Sequence, residues 1–156
     1  MAALLIALAL AGAMPAPAED AQTINGWTLA KTPARCSLGT KSGNTVLAFV
    51  VEKAGSPGTI RLINPGWDLV PGLDHLAHLS FATADLRDTF TLGVVQSADG
   101  RQLLIAPMPR NIGDYFQATD MFSMEIEGIG EFVSAAITDG PKIWAAMQAC
   151  VAKLPD

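Results

Sequence analysis

The chain has 156 residues, 50% of them hydrophobic, and its 10 basic and 15 acidic side chains give a net charge of −5. This length suits one domain with its own core and is too short for two ordinary domains. Because the basic residues are scattered singly along the sequence, the composition argues against a nucleic acid or an anionic membrane surface as the partner.

The segment Met1–Ala18 has the features of a removable export signal. It carries no charge and contains an apolar run, Ala2–Ala13, of about half the length that spans a bilayer. Ala16 and Ala18 are the small residues that a signal peptidase accepts before its cut, so we expect cleavage after Ala18. The sequence therefore predicts a signal peptide, a single β-rich domain at 19–156, a periplasmic or secreted location, and no integral membrane segment after cleavage.

Two cysteines, Cys36 and Cys150, lie near opposite ends of the mature chain. In an oxidising compartment, two such cysteines usually form one bridge. We therefore expect a Cys36–Cys150 disulfide, with two free buried thiols as the alternative.

The mature chain begins with a polar segment, Glu19–Ile24, which we interpret as a mobile lead-in before the first strand. Strands are then predicted from β-branched and apolar content and from alternation of apolar and polar residues. These strands are Trp27–Lys31, Arg35–Thr40, Thr45–Glu52, Thr59–Ile63, His75–Thr83, Thr89–Gln96, Arg101–Ala106, Met121–Glu127 and Glu131–Thr138. The connection Ala84–Asp88 is polar and has room for one helical turn. The turn Ser97–Gly100 gives the clearest local signal, because its Asp-Gly pair tolerates the positive φ angles of a tight hairpin.

Two helices complete the predicted elements. Asn111–Asp120 is a short candidate, and Pro141–Leu154 places apolar residues at steps of four, three and four along one helical face. Cys150 lies on that apolar face, so a bridge to Cys36 would join the C-terminal helix to the sheet. We therefore expect a mainly β to α+β fold: an antiparallel β-sandwich or half-open barrel with one short helix and a C-terminal helix packed on it.

His75 and His78 form the one histidine cluster. On a helix, residues three apart share a face and can chelate a metal, whereas in a strand they point to opposite faces. The alternation through Phe81 favours a strand, and no third ligand is evident. We therefore expect an edge or surface role and no metal or other cofactor.

Glu125 and Glu127 are the carboxylates with a spacing that suits catalysis. At positions i and i+2 of a strand they lie on one face, about 6.5–7 Å apart, a separation used by inverting glycosidases. A solvated strand face is the commoner role for such a pair. No nucleophile elbow or nucleotide-binding loop accompanies them, so an enzymatic function stays uncertain and is the less favoured interpretation.

The loop Asn64–Gly72 contains Trp67 and Asp68, which are candidate contact residues. Exposed aromatic residues on loops are common contact points in interfaces. The alternative is that Trp67 covers one end of the core.

The layout resembles small exported proteins of Gram-negative bacteria of the invasion-associated locus B type. The shared features are the leader, an early Gly26-Trp27 strand, the cysteine that follows it at Cys36, β-rich middle segments and a late cysteine at Cys150. The chain departs from that layout in having two cysteines and no central cysteine pair. The resemblance implies a periplasmic β domain without known catalytic residues, and no site residue is transferred from it.

These observations favour a non-enzymatic periplasmic protein that binds another protein or an envelope component through its surface. Two alternatives stay open. The chain is either a carrier of a small apolar ligand, with strands such as Thr45–Val51 lining a pocket inside a barrel, or a hydrolase inhibitor acting through the loop Asn64–Gly72.

Overall fold

A computed structural model describes residues 20–81, 86–118 and 120–156. The predicted leader, the last residues of the strand predicted at His75–Thr83 and the start of the connection Ala84–Asp88 lie outside these ranges. The described strands and helices, in chain order, are β1 (Asp20–Ile24), β2 (Trp27–Thr32), β3 (Arg35–Ser42), β4 (Thr45–Val51), β5 (Thr59–Ile63), β6 (Asp74–Phe81), β7 (Leu86–Gln96), β8 (Gln102–Pro107), α1 (Ile112–Ala118), β9 (Met121–Ile126), β10 (Glu131–Ala136) and α2 (Gly140–Val151).

In the described part of the chain, the ten strands form one antiparallel sheet in the order β1-β2-β3-β4-β5-β8-β7-β6-β9-β10. The predicted mainly β to α+β class is therefore confirmed. Edge strands β1 and β10 do not pair with each other, so the sheet is not closed into a barrel. Of the two predicted architectures the half-open barrel is the closer description, because β10 approaches β2 and β3 through side chains.

Among the described residues, three of the hydrogen bonds that hold β10 and the residues after it connect them to β3 and to the β1–β2 hairpin. The Trp27 indole N–H donates to the backbone oxygen of Ala136 at 2.9 Å, and the Asn25 amide donates to the backbone oxygen of Thr138 at 2.8 Å. The backbone N–H of Ser134 donates to the Ser42 hydroxyl at 3.1 Å. Side chains from β3 and from the β1–β2 hairpin thus bond β10 and the residues after it.

Strand β1 corrects the prediction for Glu19–Ile24, because the sequence predicts no strand before Trp27. Asn25 and Gly26 have φ angles of 48° and 85°, which is the positive-φ pair that a tight two-residue hairpin needs. Their turn sets Ile24 opposite Trp27, and the rest of β1 pairs with β2 in register. The connection Ala84–Asp88 is also corrected at its end, since Leu86–Asp88 belongs to β7 and pairs with β6.

The other local predictions agree with the structure. The hairpin around Ser97–Gly100 forms between β7 and β8, with Gln96 opposite Gln102 and Gly100 at φ 82°. The helix predicted at Asn111–Asp120 is α1, and the one predicted at Pro141–Leu154 is α2, which begins at Gly140 and ends at Val151. No helix in the described ranges has the length and apolar character needed to cross a membrane.

Aromatic rings fill the space between the sheet and the two helices. Trp27 is fully buried, and its ring centroid lies 5.1 Å from that of Phe116, 5.9 Å from that of Phe122 and 6.0 Å from that of Phe49. The inward side chains of β4, Leu47, Phe49 and Val51, belong to the same core, and Val51 also lines a surface cavity described below. The cavities described below lie between α2 and its neighbours, near the surface.

Candidate functional site

A surface groove follows one flank of α2, where the helix faces the β4–β5 turn and the segment after β8. It consists of two adjoining hollows of about 320 and 380 Å³, which share Gly55, Ser56, Met108 and Trp144. We call it the Trp144 groove. Its lining residues are Val51, Gly55, Ser56, Pro57, Gly58, Met108, Pro109, Arg110, Ile112, Trp144, Met147, Gln148, Val151 and Ala152.

The location of Trp144 is determined by helical spacing and by one glycine. Trp144, Gln148 and Val151 lie on one flank of α2, at steps of four and three. The indole stacks on Phe116 with ring centroids 5.3 Å apart. A Cβ atom at Gly113 would lie 2.3 Å from Trp144 Nε1, so the absence of a side chain on α1 makes room for the ring. Trp144 is thus held half-buried at the middle of the groove.

A second glycine positions the opposite wall. A Cβ atom at Gly58 would lie 2.6 Å from Met108 Cε and 2.7 Å from the backbone oxygen of Val50. The backbone N–H of Met108 donates to the Gly58 oxygen at 2.8 Å, which joins the β4–β5 turn to the segment after β8. The Met108 thioether therefore lies directly against the backbone of the turn.

The chemistry of the Trp144 groove is apolar. Its floor contains the buried Val51, Ile112 and Met147, and Arg110 is the one charged residue among those that line it. Tryptophan, methionine and arginine are enriched at protein interfaces, whereas lysine and acidic residues are depleted there. Methionine also adapts its shape to irregular partners. The groove is therefore suited to apolar side chains.

The carboxylate nearest in sequence to this groove is paired elsewhere. Glu52, which follows the lining residue Val51, accepts a hydrogen bond at 2.8 Å from the buried guanidinium of Arg61. Burial lowers the pKa of the neighbouring Arg35, and the positive charge of Arg61 lowers it further, partly offset by Glu52. The charges of Glu52, Arg61 and Arg35 thus interact with one another, and none of the three residues lines the groove.

The contact candidates Trp67 and Asp68 lie apart from the groove. Trp67 is half-buried against the core, and its indole N–H donates to Glu131 Oε2 at 3.2 Å. The Gln102 side chain bonds both the backbone N–H and the backbone oxygen of Leu69. Asp68 is exposed between these two fixed residues. The Trp67 ring thus packs against the core, and its indole N–H is bonded to Glu131.

His75 and His78 lie on strand β6 and both reach the same residue. Nδ1 of His75 is 3.0 Å from the backbone oxygen of Glu127, and Nε2 of His78 is 2.6 Å from Glu127 Oε1. Nδ1 of His78 is 3.3 Å from the Thr89 hydroxyl. In the described part of the chain, no three His, Cys, Asp or Glu residues are grouped in a way that could hold a metal ion.

Glu125 and Glu127 are exposed at the end of β9. Glu125 lies opposite His78 on β6 and opposite Phe132 on β10, and Glu127 is bonded as described above. They belong to an outer sheet surface on which Phe132 is 60% exposed. None of these residues lines the Trp144 groove.

Cys36 and Cys150 form a disulfide with their Cα atoms 6.1 Å apart. The bond joins α2 to β3, as the apolar face of the helix implied. Both cysteines are buried. It therefore holds in place the helix that carries Trp144.

Sequence reasoning identifies Trp144 only as a large apolar residue and does not assign it to a site. One signal is present: Trp144 is one position out of phase with the core face formed by Ile143, Met147, Cys150 and Leu154. A tryptophan beside an apolar face lies where the helix meets its neighbours. The identity of those neighbours depends on the tertiary fold.

Comparisons of the chain with protein-family models, curated proteins and solved structures give no match.

Proposed function

We propose that the chain is an exported, non-enzymatic binding module of the periplasm, and that it holds an apolar segment of a partner protein in the Trp144 groove. The observation that carries this proposal is a half-buried tryptophan that lines the groove together with two methionine side chains, with an arginine as the single charged lining residue. Tryptophan and arginine concentrate binding energy at interfaces when a partner desolvates them, and methionine is enriched there. The disulfide supports the proposal because it fixes α2, which carries Trp144, to β3, and such bonds persist in the oxidising periplasm.

The loop-inhibitor alternative has less support. Inhibitory loops present side chains to an enzyme, whereas the Trp67 indole is bonded to Glu131 and the Leu69 backbone is bonded to Gln102. Val70, 59% exposed, is the apolar side chain that this loop presents. The carrier alternative has no specific support in the space between the sheet and the helices, because aromatic side chains of the core occupy it.

Replacement of Trp144 is expected to abolish partner binding. A photo-crosslinking amino acid at Gln148, on the rim of the groove, should give a discrete adduct when the protein is expressed in a Gram-negative host. Trp144→Ala should lower the yield of that adduct at least about tenfold, because truncation of a central interface tryptophan typically costs about 2 kcal/mol or more. The adduct yield on a denaturing gel is the measurement.

Two further variants control this experiment. Phe132→Ala removes a large exposed aromatic residue from the outer sheet surface and should leave the adduct unchanged. Gly113→Ala keeps Trp144 but displaces its ring, so it should also reduce the adduct. If Phe132→Ala and Trp144→Ala lowered the yield equally, nonspecific apolar adhesion would replace the proposed groove.

Export is tested separately on the full-length chain expressed in a Gram-negative host. We expect the purified periplasmic protein to begin at Glu19, as read from its intact mass. Ala18→Arg should leave the leader attached, because a large charged residue before the cut is not accepted by signal peptidase. A wild-type protein recovered with Met1 in the cytoplasmic fraction would contradict export.

A further inference from the structure

A second groove follows the other flank of α2, between the helix and the inward surface of β1 and β2. Its volume is about 510 Å³, within the range of small-molecule sites. We call it the lysine groove. The lining residues that bear on its chemistry are Asp20, Leu29, Lys31, Ala146, Ala149 and Lys153.

The floor of the lysine groove is apolar, and part of it is formed by small side chains. Leu29 and Cys150 are buried beneath it, and Ala146 and Ala149 contribute only methyl groups. Lys31 lies in the same inward-facing row of β2 as Leu29 and is half-buried. Half-buried lysines commonly lay their methylene groups along apolar surface and keep the amine in water.

The charge of the lysine groove is positive in a chain whose net charge is negative. Two amines, Lys31 and Lys153, line it together with one carboxylate, Asp20. Among the residues that the structure describes, neither amine has a carboxylate within 4.0 Å. Asp20 lies opposite Lys31 in the β1–β2 register without making an ion pair of that length. The groove thus combines an apolar floor with amines that are available to an anion.

We propose that the lysine groove binds a soluble single-chain aliphatic carboxylate, with the carboxylate between Lys31 and Lys153 and the hydrocarbon chain along Leu29, Ala146 and Ala149. Charge complementarity selects the head group, and the alanine floor leaves room for a chain of methylene groups. The site is on the opposite flank of α2 from the Trp144 groove. The inference is therefore independent of the proposed function.

Decanoate is the probe for this site, used below its micelle concentration with the mature, disulfide-bonded protein. It should bind saturably and perturb the backbone amide NMR signals of Ala21, Ala149 and Lys153. Lys31→Met and Lys153→Met should each weaken binding about fivefold, in line with the loss of one partly solvated ion pair. Methionine keeps much of the apolar stem, so these variants isolate the charge.

Lys142→Met is the matched control, since it makes the same charge change on α2 outside the groove, and it should bind decanoate like the wild type. Decanol should bind more weakly than decanoate. Absence of saturable decanoate binding, equal effects of Lys142→Met and Lys31→Met, or perturbed signals at Trp144 in place of Ala149 would overturn the proposal. Lysine-dependent binding to phosphatidylglycerol vesicles without binding to decanoate would also overturn it, since the head groups of a membrane would then be the ligand.

Discussion

Removal of the Cys36–Cys150 disulfide is expected to lower the free energy of unfolding by about 4–5 kcal/mol. The bond joins residues separated by 114 positions, and in the chain-entropy model a loop of that length restricts the unfolded chain by about this amount. Net stabilities of single domains are about 5–15 kcal/mol, so the loss is a large share of the total. Urea unfolding of the Cys36→Ala/Cys150→Ala protein, compared with the oxidised wild type, is the measurement.

Reductant supplies the control for this variant. The reduced wild type should unfold at a urea concentration close to that of the double variant, and the double variant should not respond to reductant. A double variant within about 1 kcal/mol of the oxidised protein would contradict the expectation, because it would mean that packing alone holds α2 against β3. Because α2 forms a wall of both grooves, we expect loosening of this helix to weaken binding at both.

The hairpins show how much of the fold can be predicted from local sequence. The Asp99-Gly100 turn is recognisable from its residues, and the strands on both sides of it are predicted within three residues of their ends. The Asn25-Gly26 turn has the same chemistry but is not predicted, because the preceding segment Asp20–Ile24 is polar and suggests no partner strand. A strand whose side chains are mostly exposed owes its existence to backbone pairing with β2, and this pairing leaves little hydrophobic pattern in the sequence.

The Trp144 groove is a feature that local sequence does not predict. Its walls come from the β4–β5 turn, the segment after β8 and α2, which are brought together only by the tertiary fold. The amphipathic pattern of α2 predicts which face enters the core, and hence that Cys150 points toward the sheet. It does not predict that Gly58 and Gly113 leave the space occupied by Met108 and Trp144.

The contacts of Glu127 with the two histidines are likewise not predicted by local sequence. The strand pattern predicts that His75 and His78 point to opposite faces of the sheet. Both nevertheless lie within hydrogen-bond distance of Glu127, one through its backbone oxygen and the other through its carboxylate. This convergence depends on β6 pairing with β9, a pairing of strands distant in sequence.

Replacement of the buried Trp27 by alanine is expected to lower the free energy of unfolding by about 3–5 kcal/mol, the usual cost of truncating a buried aromatic residue. The indole contacts three other aromatic rings, on β4, α1 and β9, so its loss opens a cavity between the sheet and the helices. It also removes the hydrogen bond from the indole N–H to Ala136, which connects β2 to the residues that end β10. Urea unfolding at constant disulfide oxidation is the measurement.

Two other variants separate the contributions of Trp27. Trp27→Phe keeps much of the ring contact but removes the N–H donor, so it should cost about 1–3 kcal/mol, mainly from an unsatisfied carbonyl and a smaller cavity. Phe132→Ala deletes an aromatic ring that is 60% exposed and should change stability by no more than about 0.5 kcal/mol. If Trp27→Phe were as destabilising as Trp27→Ala, loss of the indole hydrogen bond to the end of β10 would account for most of the destabilisation. The half-open sheet would then depend on that polar connection more than on its aromatic core.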